Sequence, residues 1–260
     1  MAYIFFDVDG TIWDWNQQIP QSTLLAIDEL KKNGHTVFIN SGRSRANIIE
    51  RKLLDIGFSG ILAGCGTYIE IGGKVVFEKL LSKDLVRRII EVTQKYGMPV
   101  VLEGSKYHWI SEKGFENDPF VDYLWESLGE KAKPLRGYSD EIEISKFSAD
   151  IIEGTNFDAI RRELESEFDI LVHDQDTVEF VPHGVTKATS IAWICKEYQV
   201  PIEETYAIGD SVNDLDMLSF VGHGIAMGNA SAAVKEKAEY ITADIHEDGV
   251  YKAMKHYGLI

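Results

Sequence analysis

Short apolar runs that alternate with helical patterns constrain the fold of this chain more than any other feature. The first three runs are Ala2 to Phe6, Thr36 to Ile39 and Gly60 to Ala63, and none of them has a polar residue at every second position. A helical spacing of apolar residues begins at Ser22 after the first run and extends from Ser44 to Leu54 after the second. Strands that lack polar alternation are buried on both faces, so the pattern predicts a parallel sheet covered by helices on both sides.

The middle of the chain has a different pattern, which begins near Leu81. Apolar and polar residues alternate there in short runs joined by short connections, as in antiparallel strands with one exposed face. We therefore expect a largely antiparallel sheet with helices on one side, which is an α+β unit. The expected strands are Pro99 to Glu103, Lys106 to Ser111, Lys146 to Ile152 and Asp176 to Val181, and the expected helices are Lys83 to Tyr96, Phe115 to Leu128 and Phe157 to Phe168.

The alternation of strand and helix returns after Val185, beginning with an expected helix from Thr186 to Tyr198. The simplest organisation is an α/β fold, with a doubly wound, Rossmann-like core of parallel strands and a smaller α+β domain inserted into it. We expect residues 1–81 and 183–260 to form the core and residues 82–182 to form the inserted domain.

Carboxylates directly follow two of the expected core strands. Asp7 and Asp9 stand at the end of the first strand, and Asp210 and Asp214 follow the strand Tyr206 to Ile208. The carboxyl ends of parallel strands lie at the edge where α/β sheets bind their ligands. Acids brought together there without a cation would repel each other, and hard divalent cations prefer carboxylate oxygens. The pattern therefore predicts a Mg²⁺ site, although an ordinary Asp-Gly turn is the alternative for the first pair alone.

Two further segments offer groups that bind anions. The segment Asn40-Ser41-Gly42-Arg43 ends the second strand, and its hydroxyl, its glycine N–H and the helix start that follows form an anion cradle. Lys187 lies at the start of a helix, where the positive end of the helix dipole disfavours a cation unless an anion is near. A capping role for the serine and a solvated surface position for the lysine are the alternatives.

The charge of the whole chain limits its partners. Its 260 residues include 42 acidic and 26 basic side chains, which give a formal net charge of −16 at pH 7. So acidic a chain repels polyanions, and we expect neither a nucleic-acid partner nor an anionic membrane surface. No apolar run approaches the roughly 18 residues of a membrane span, and the N-terminus lacks a signal-peptide pattern. Cys65 and Cys195 lie far apart without CxxC spacing, which favours reduced thiols and a cytoplasmic location.

Four segments, in this order, resemble the signature of the haloacid dehalogenase superfamily of Asp-nucleophile phosphohydrolases. They are Asp7 to Thr11 (DVDGT), Ser41, Lys187 and Gly209 to Asp214 (GDSVND). The closest resemblance is to the Cof-type branch, whose large α/β cap lies between the second and third motifs and would here be residues 82–182. The resemblance implies a phosphatase of small phosphorylated metabolites, with sugar phosphates as the expected substrates and the cap as the source of specificity.

The resemblance also implies how catalysis would proceed. Asp7 would attack the phosphorus and become an aspartyl phosphate. Asp9 would protonate the leaving alcohol and then deprotonate the hydrolytic water. The residues that would hold the phosphoryl oxygens are Ser41, Gly42, Lys187 and Asn213.

Mg²⁺ is the cofactor that the resemblance implies. Its ligands would be Asp7, the backbone carbonyl of Asp9 and Asp210, with Asp214 as a further ligand or as a support for the others. Dehalogenases of the same superfamily have no need of an acid two residues after the nucleophile, so Asp9 favours phosphoryl chemistry.

Some features depart from the family pattern or stay open. Cys65 stands where the branch commonly has asparagine, and Ala188 stands where glycine often follows the lysine. Arg43 matches the family, but its role is open. A sugar-phosphate mutase and a non-catalytic regulator that binds sugar phosphates are the alternative functions, and the sequence gives no oligomeric state.

Overall fold

The structure is a computed structural model that describes residues 1–173 and 176–260. The chain forms two compact units. Among the described residues, no helix combines the length and the apolar character needed to cross a membrane. The core unit comprises Met1–Arg43, Glu50–Phe77 and Val185–Ile260, and the inserted unit comprises Ser44–Ile49 and Glu78–Gly184.

Strands and helices alternate along most of the core unit. Its strands are β1 (Tyr3–Phe6), β2 (Thr36–Asn40), β3 (Gly60–Ala63), β4 (Tyr68–Ile71), β5 (Lys74–Glu78), β12 (Thr205–Gly209), β13 (His223–Ala226) and β14 (Tyr240–Ile241). Its helices are α1 (Gln21–Lys32), α2 (Arg51–Leu54), α6 (Lys187–Tyr198), α7 (Leu215–Phe220), α8 (Ala232–Lys237) and α9 (Gly249–His256).

The eight core strands form one sheet in the order β14-β13-β12-β1-β2-β3-β4-β5. Neighbours from β14 to β3 pair in parallel, and β4 runs antiparallel to β3. The strand order reverses at β1, because the chain first extends the sheet through β2 and β3 and later through β12 and β13 on the other side. The carboxyl end of β1 is therefore the place where a doubly wound sheet leaves a crevice for ligands. The predicted α/β class with a parallel-sheet core is confirmed.

The core strands are buried, as their apolar composition predicts. Ile4, Phe5 and Phe6 of β1 have no exposed surface. Phe5 stacks on Phe38 of β2 with ring centroids 5.0 Å apart. The same apolar cluster includes Ile191 of α6 together with residues of α7. Helices thus cover a sheet that has little polar surface of its own.

The inserted unit contains a second sheet of six strands in the order β10-β11-β9-β6-β7-β8. Neighbouring strands are antiparallel except for the parallel pair β7 and β8. The elements are α3 (Lys83–Lys95), β6 (Val100–Glu103), β7 (His108–Ser111), α4 (Pro119–Leu128), β8 (Ala132–Leu135), β9 (Lys146–Asp150), α5 (Phe157–Leu164), β10 (Phe168–Val172) and β11 (Thr177–Pro182).

Helices lie on both faces of this second sheet, whereas the sequence predicted them on one side. Leu102 of β6 packs in the cluster that contains residues of α3 and α5. Its neighbour Val101 packs instead with Val121 and Leu124 of α4. Successive residues of a strand point to opposite faces, so α4 covers the face opposite to α3 and α5. The apolar stripe of α4 predicts burial but does not specify which face it covers.

The predicted helix over 44–54 is wrong, and its replacement has a tertiary cause. The chain forms a single 3-10 turn at Arg45–Asn47 and then the short helix α2. The Ser44 hydroxyl is hydrogen-bonded to Nε2 of His108 at 2.5 Å, and Ile49 packs against the apolar cluster around α4. These contacts within the inserted unit keep the segment from continuing as a helix.

Two smaller differences come from strands that the sequence pattern did not predict. The helix expected to reach Phe168 ends at Leu164, and Phe168 instead begins β10, where its ring packs on Phe147 at 5.4 Å. The hairpin of β4 and β5 turns through Gly72 and Gly73, whose φ angles are +54° and +77°. Positive φ at both positions suits a two-residue hairpin turn and favours glycine.

Candidate active site

Three of the predicted acids meet at the carboxyl edge of the core sheet. Asp7 follows β1, and Asp210 and Asp214 follow β12, directly beside it. Carboxylate oxygens of these three residues all lie within 4.8 Å of one another, and all three residues are buried. The pairing of β1 with β12 is what brings acids some 200 positions apart in the sequence into one cluster.

Glycines allow the carboxylates to approach the backbone so closely. Gly10 has φ of +79°, and a Cβ atom there would lie 2.3 Å from Oδ2 of Asp210. A Cβ atom on Gly209 would lie 2.5 Å from Cγ of Asp214. Any side chain at either position would therefore displace a carboxylate of the cluster.

Lys187 is the cation of this cluster. It is the first residue of α6 and is only 1% exposed, so it is not a solvated surface lysine. Its Nζ donates to Oδ1 of Asp7 at 2.5 Å and to Oδ1 of Asp214 at 2.6 Å. Thr186 caps the helix, and Nδ2 of Asn40 donates to the Lys187 carbonyl at 3.1 Å. The start of α6 is thereby held against the end of β2.

The cluster contains more negative charge than Lys187 offsets. Burial and the charge of Asp214 raise the pKa of Asp7 well above its ordinary value, despite Lys187 beside it. Burial and the same neighbour raise the pKa of Asp210 to about 7. The pKa of Lys187 is also raised, because Asp214 and Asp7 outweigh the opposing effect of its burial. This electrostatic imbalance is what a bound cation would relieve.

The oxygens of the three acids are used differently. Oδ2 of Asp214 accepts from the backbone N–H groups of Asp210 and Ser211, both at 2.9 Å, while its Oδ1 is held by Lys187. Oδ1 of Asp210 accepts from the Thr11 hydroxyl at 3.0 Å. Within the described parts of the chain, Oδ2 of Asp7 and Oδ2 of Asp210 have no hydrogen-bond donor. The donor set therefore fits a hard divalent cation, to which Asp7 and Asp210 would each offer an oxygen that has no donor.

Asp9 lies in a different environment from the other acids. Its carboxylate accepts from Nε and Nη2 of Arg43 at 2.7 and 2.8 Å, and from Nε1 of Trp13 at 2.8 Å. Although burial opposes it, the Arg43 guanidinium holds the pKa of Asp9 below its ordinary value. Arg43, whose role the sequence left open, is thus the bidentate partner of Asp9 in this structure.

The other predicted phosphate-binding residues lie on two loops of the core unit. Ser41 is buried, and its hydroxyl accepts from the backbone N–H of Arg43 at 3.1 Å. Gly42 is half-buried beside it. Asn213 is also half-buried, and its Oδ1 accepts from the Ser211 hydroxyl at 2.8 Å. Ser41 holds its own loop rather than capping a long helix.

The sequence did not assign roles to three residues that position the site. Thr11 holds Asp210, Asn40 holds the start of α6, and Trp13 holds Asp9. Thr11 and Asn40 lie inside the segments that the sequence singled out, so their polar side chains were the available signal. Trp13 lies outside those segments, and its indole N–H reaches Asp9 only because of the turn that follows β1.

Comparisons with known proteins identify the family of the chain. The sequence matches the haloacid dehalogenase-like hydrolase family over residues 4–254. It is 31% identical over 261 residues to YkrA of Bacillus subtilis, an alignment that covers 99% of this chain and 98% of that protein. It is 28% identical to the 5-amino-6-(5-phospho-D-ribitylamino)uracil phosphatase YitU of Bacillus subtilis, covering 98% of this chain and 96% of that protein.

Solved structures share the fold over the whole chain. The HAD subclass IIB sugar phosphatase BT4131 superimposes with a TM-score of 0.83 at 25% identity, covering 100% of both chains. A protein from Geobacillus kaustophilus HTA426 gives a TM-score of 0.84 at 28% identity, covering 100% of this chain and 99% of that one. The resemblance indicated by the four motifs is confirmed: the chain belongs to the haloacid dehalogenase-like hydrolases and is an enzyme of that family.

Proposed function

We propose that this enzyme is a Mg²⁺-dependent phosphatase that hydrolyses phosphate monoesters of small metabolites, sugar phosphates above all, through an aspartyl phosphate. The observation that carries the proposal is the pairing of Asp7 with Lys187 inside a cluster of acids. The relatives support the substrate class, since one is a sugar phosphatase and another acts on a phosphorylated ribityl compound. The substrates of both relatives carry a phosphate ester on a polyhydroxylated carbon chain.

Asp7 is the proposed nucleophile. Lys187 holds its Oδ1, and its Oδ2 has no hydrogen-bond donor in the described residues. Lys187 therefore orients the carboxylate, of which one oxygen would attack phosphorus in line with the leaving alcohol while the other would face the cation. Attack forms an acyl-phosphate bond and breaks the P–O ester bond, and water then cleaves the acyl phosphate and regenerates Asp7. Lys187 would also offset the charge on the phosphoryl oxygens in the transition state.

Asp9 is the proposed acid and base. It would give a proton to the departing alkoxide and later take one from the attacking water. In this structure the two hydrogen bonds from Arg43 favour the ionised form of Asp9, which suits the step in which Asp9 takes a proton from water. The first step requires Asp9 to leave Arg43 and to gain a proton, so Arg43 would control when the acid becomes available.

The remaining contacts to phosphate would come from the loops after β2 and β12. Ser41 and Gly42 would supply a hydroxyl and a backbone N–H, and Asn213 would supply its side-chain amide. These groups, together with Lys187, are donors, as the binding of an anion requires.

Mg²⁺ would be held by Asp7, the Asp9 carbonyl and Asp210, with Asp214 in support. When bound, the ion supplies positive charge that neutralises the phosphoryl oxygens and the acids around them. Asp214 keeps its place through the N–H groups after β12 and through Lys187.

The setting proposed for this activity is the cytoplasm. Among the described residues, Cys65 and Cys195 form no disulfide, which suits a reducing compartment. The net charge of −16 disfavours nucleic acid as a partner.

A phosphate-release assay with Mg²⁺ over a panel of phosphorylated sugars and polyols tests the proposal. We expect turnover that chelation abolishes reversibly and that Asp7→Asn removes while the fold is retained. The matched control is Asp216→Asn, an exposed acid two residues after Asp214, which should leave activity unchanged. Isomerised sugar phosphate without phosphate release would instead indicate a mutase, and binding without turnover would indicate a regulator.

A further inference from the structure

One edge of the core sheet is a five-residue strand whose outer side has no partner strand among the described residues. β5, with the sequence KVVFE, is the last strand of the order, and among the strands of the described residues it pairs with β4 alone. Val75 and Val76 are 55% and 42% exposed, and Lys74 and Glu78 are also exposed. A terminal strand with exposed apolar residues presents unpaired backbone N–H and C=O groups to any matching strand.

Two of the other three sheet edges are shorter than β5. The third, β10, also has five residues, but its one charged side chain, Asp169, is paired with His183 at 2.8 Å. β14, at the opposite edge of the core sheet, has two residues. β8, at one edge of the second sheet, contains Pro134, which cannot donate a backbone hydrogen bond. β5 has five residues, no proline and no bulge-forming glycine within it. It also carries one residue of each charge, Lys74 and Glu78, which β10 does not, so it is the edge best suited to pairing with a copy of itself.

Alternation along β5 divides its side chains between two faces. Phe77 packs against the apolar cluster of the core unit, so Val75 lies on that same face. Lys74, Val76 and Glu78 share the opposite face. Within the described residues, neither Lys74 nor Glu78 has a salt-bridge partner.

We propose that β5 pairs with β5 of a second copy of this chain, antiparallel about a two-fold axis at Val76. In that register Lys74 of each copy lies opposite Glu78 of the other, which gives two identical ion pairs. Val75 lies opposite Phe77 of the other copy, and the two Val76 side chains meet at the axis. The strand is thus complementary to itself in charge and in apolar surface, as a two-fold interface requires.

The same sequence disfavours parallel pairing of two copies. Parallel strands in register would place lysine beside lysine and glutamate beside glutamate, and like charges on neighbouring strands destabilise the pair. A closed two-fold pair occupies β5 of both copies, so assembly through this strand stops at two copies. The result is a continuous sixteen-stranded sheet, twice the eight strands of one core unit.

Charge reversal tests the register in the full-length protein. We expect sedimentation equilibrium of the parent chain to show a concentration-dependent dimer. Lys74→Glu and Glu78→Lys should each raise the dissociation constant about tenfold or more, because each change turns both ion pairs into repulsions. The double variant should restore the parental constant, and an equimolar mixture of the two single variants should form a mixed dimer.

A second measurement checks the axis directly. Val76→Cys should form a disulfide-linked dimer under mild oxidation, because the two residues are direct neighbours across the proposed axis. Val172→Cys, at a valine 52% exposed on β10, is the matched control and should not. A parent that stays monomeric at all concentrations overturns the proposal, as does a dimer that is indifferent to both charge reversals.

Discussion

The two units each bury a lysine between two carboxylates, and the two clusters differ in how much negative charge the lysine leaves uncompensated. In the inserted unit, Nζ of Lys146 lies 2.6 Å from Glu103 and 2.8 Å from Glu179. The Ser148 hydroxyl also donates to Glu103, and His173 is hydrogen-bonded to Glu179. Although burial opposes it, Lys146 lowers the pKa of Glu179 well below its ordinary value. The charge of these glutamates is thus balanced by groups within the cluster.

In the core cluster, the negative charge of the acids is not balanced by the lysine. Lys187 also lies between two carboxylates, but Asp210 adds a third acid, and the pKa values of Asp7 and Asp210 are raised rather than lowered. A buried lysine among carboxylates thus balances the charge of two glutamates in one unit and leaves the charge of three aspartates unbalanced in the other. The two clusters differ both in the number of acids around the lysine and in the direction of these pKa shifts, so we expect the core cluster, and not the other, to bind a cation.

Removing each lysine gives the largest expected effects and separates the two clusters. Lys146→Met and Lys187→Met should each lower the free energy of unfolding by about 3–5 kcal/mol, since each leaves buried carboxylates without a cation. Added Mg²⁺ should recover part of the loss for Lys187→Met and none for Lys146→Met. Phosphate release should fall about 10²–10³-fold in Lys187→Met even with Mg²⁺ present. Urea unfolding with and without Mg²⁺ measures the stability difference, and equal recovery of both variants would contradict the comparison.

Neutralising a single acid should have smaller effects of opposite sign at Asp210 and Asp9. The pKa of Asp210 is raised to about 7, so the folded state holds that proton more tightly than the unfolded state, and stability is lost as the pH rises from about 4 to about 7. Without metal at pH 8, Asp210→Asn should therefore raise the free energy of unfolding by about 2 kcal/mol. Asp9→Asn, the control, loses its pair with Arg43 and should be less stable by about 1–2 kcal/mol. Destabilisation by both changes would show that the cluster is not under repulsion.

The sequence predicts those site residues whose position follows from the strand that precedes them, and it does not predict contacts that depend on how separate loops bend. The acids after β1 and β12 were predictable because the carboxyl ends of parallel strands share one edge. The pairing of Arg43 with Asp9 was not, because it depends on how the loop after β2 bends toward the turn after β1. Likewise, a raised pKa at Asp210 requires knowing which neighbours share its cluster.

The fold shows the same division. Uninterrupted apolar runs predicted the parallel core strands, because a strand that is buried on both faces consists almost entirely of apolar residues. The segment after Arg43 was predicted as a helix from its spacing and is not one, because Ser44 and Ile49 make contacts with residues far along the chain. The hairpin strand β5 was missed because it is largely exposed and its residues lack the pattern of a buried strand.

A pH effect in the inserted unit should be the smallest of these effects. Burial lowers the pKa of His108 to about 4, so the folded state binds its proton more weakly than the unfolded chain, and stability is lost as the pH falls from about 6.5 toward 4. Between pH 8 and pH 5.5 this residue should account for a loss of about 1 kcal/mol. His108→Gln should remove that part of the pH dependence in urea unfolding. A variant with the parental pH dependence would show that His108 is not the group responsible.

The central claim, that the core cluster is completed by a divalent cation, is tested most directly by calorimetric titration of the metal-free enzyme with Mg²⁺. We predict binding of one ion per chain, accompanied by a rise in the melting temperature, and loss of both effects in Asp210→Asn. The Lys146→Met variant, altered in the other cluster, should still bind the ion. No binding by the parent enzyme, or undiminished binding by Asp210→Asn, would contradict the account.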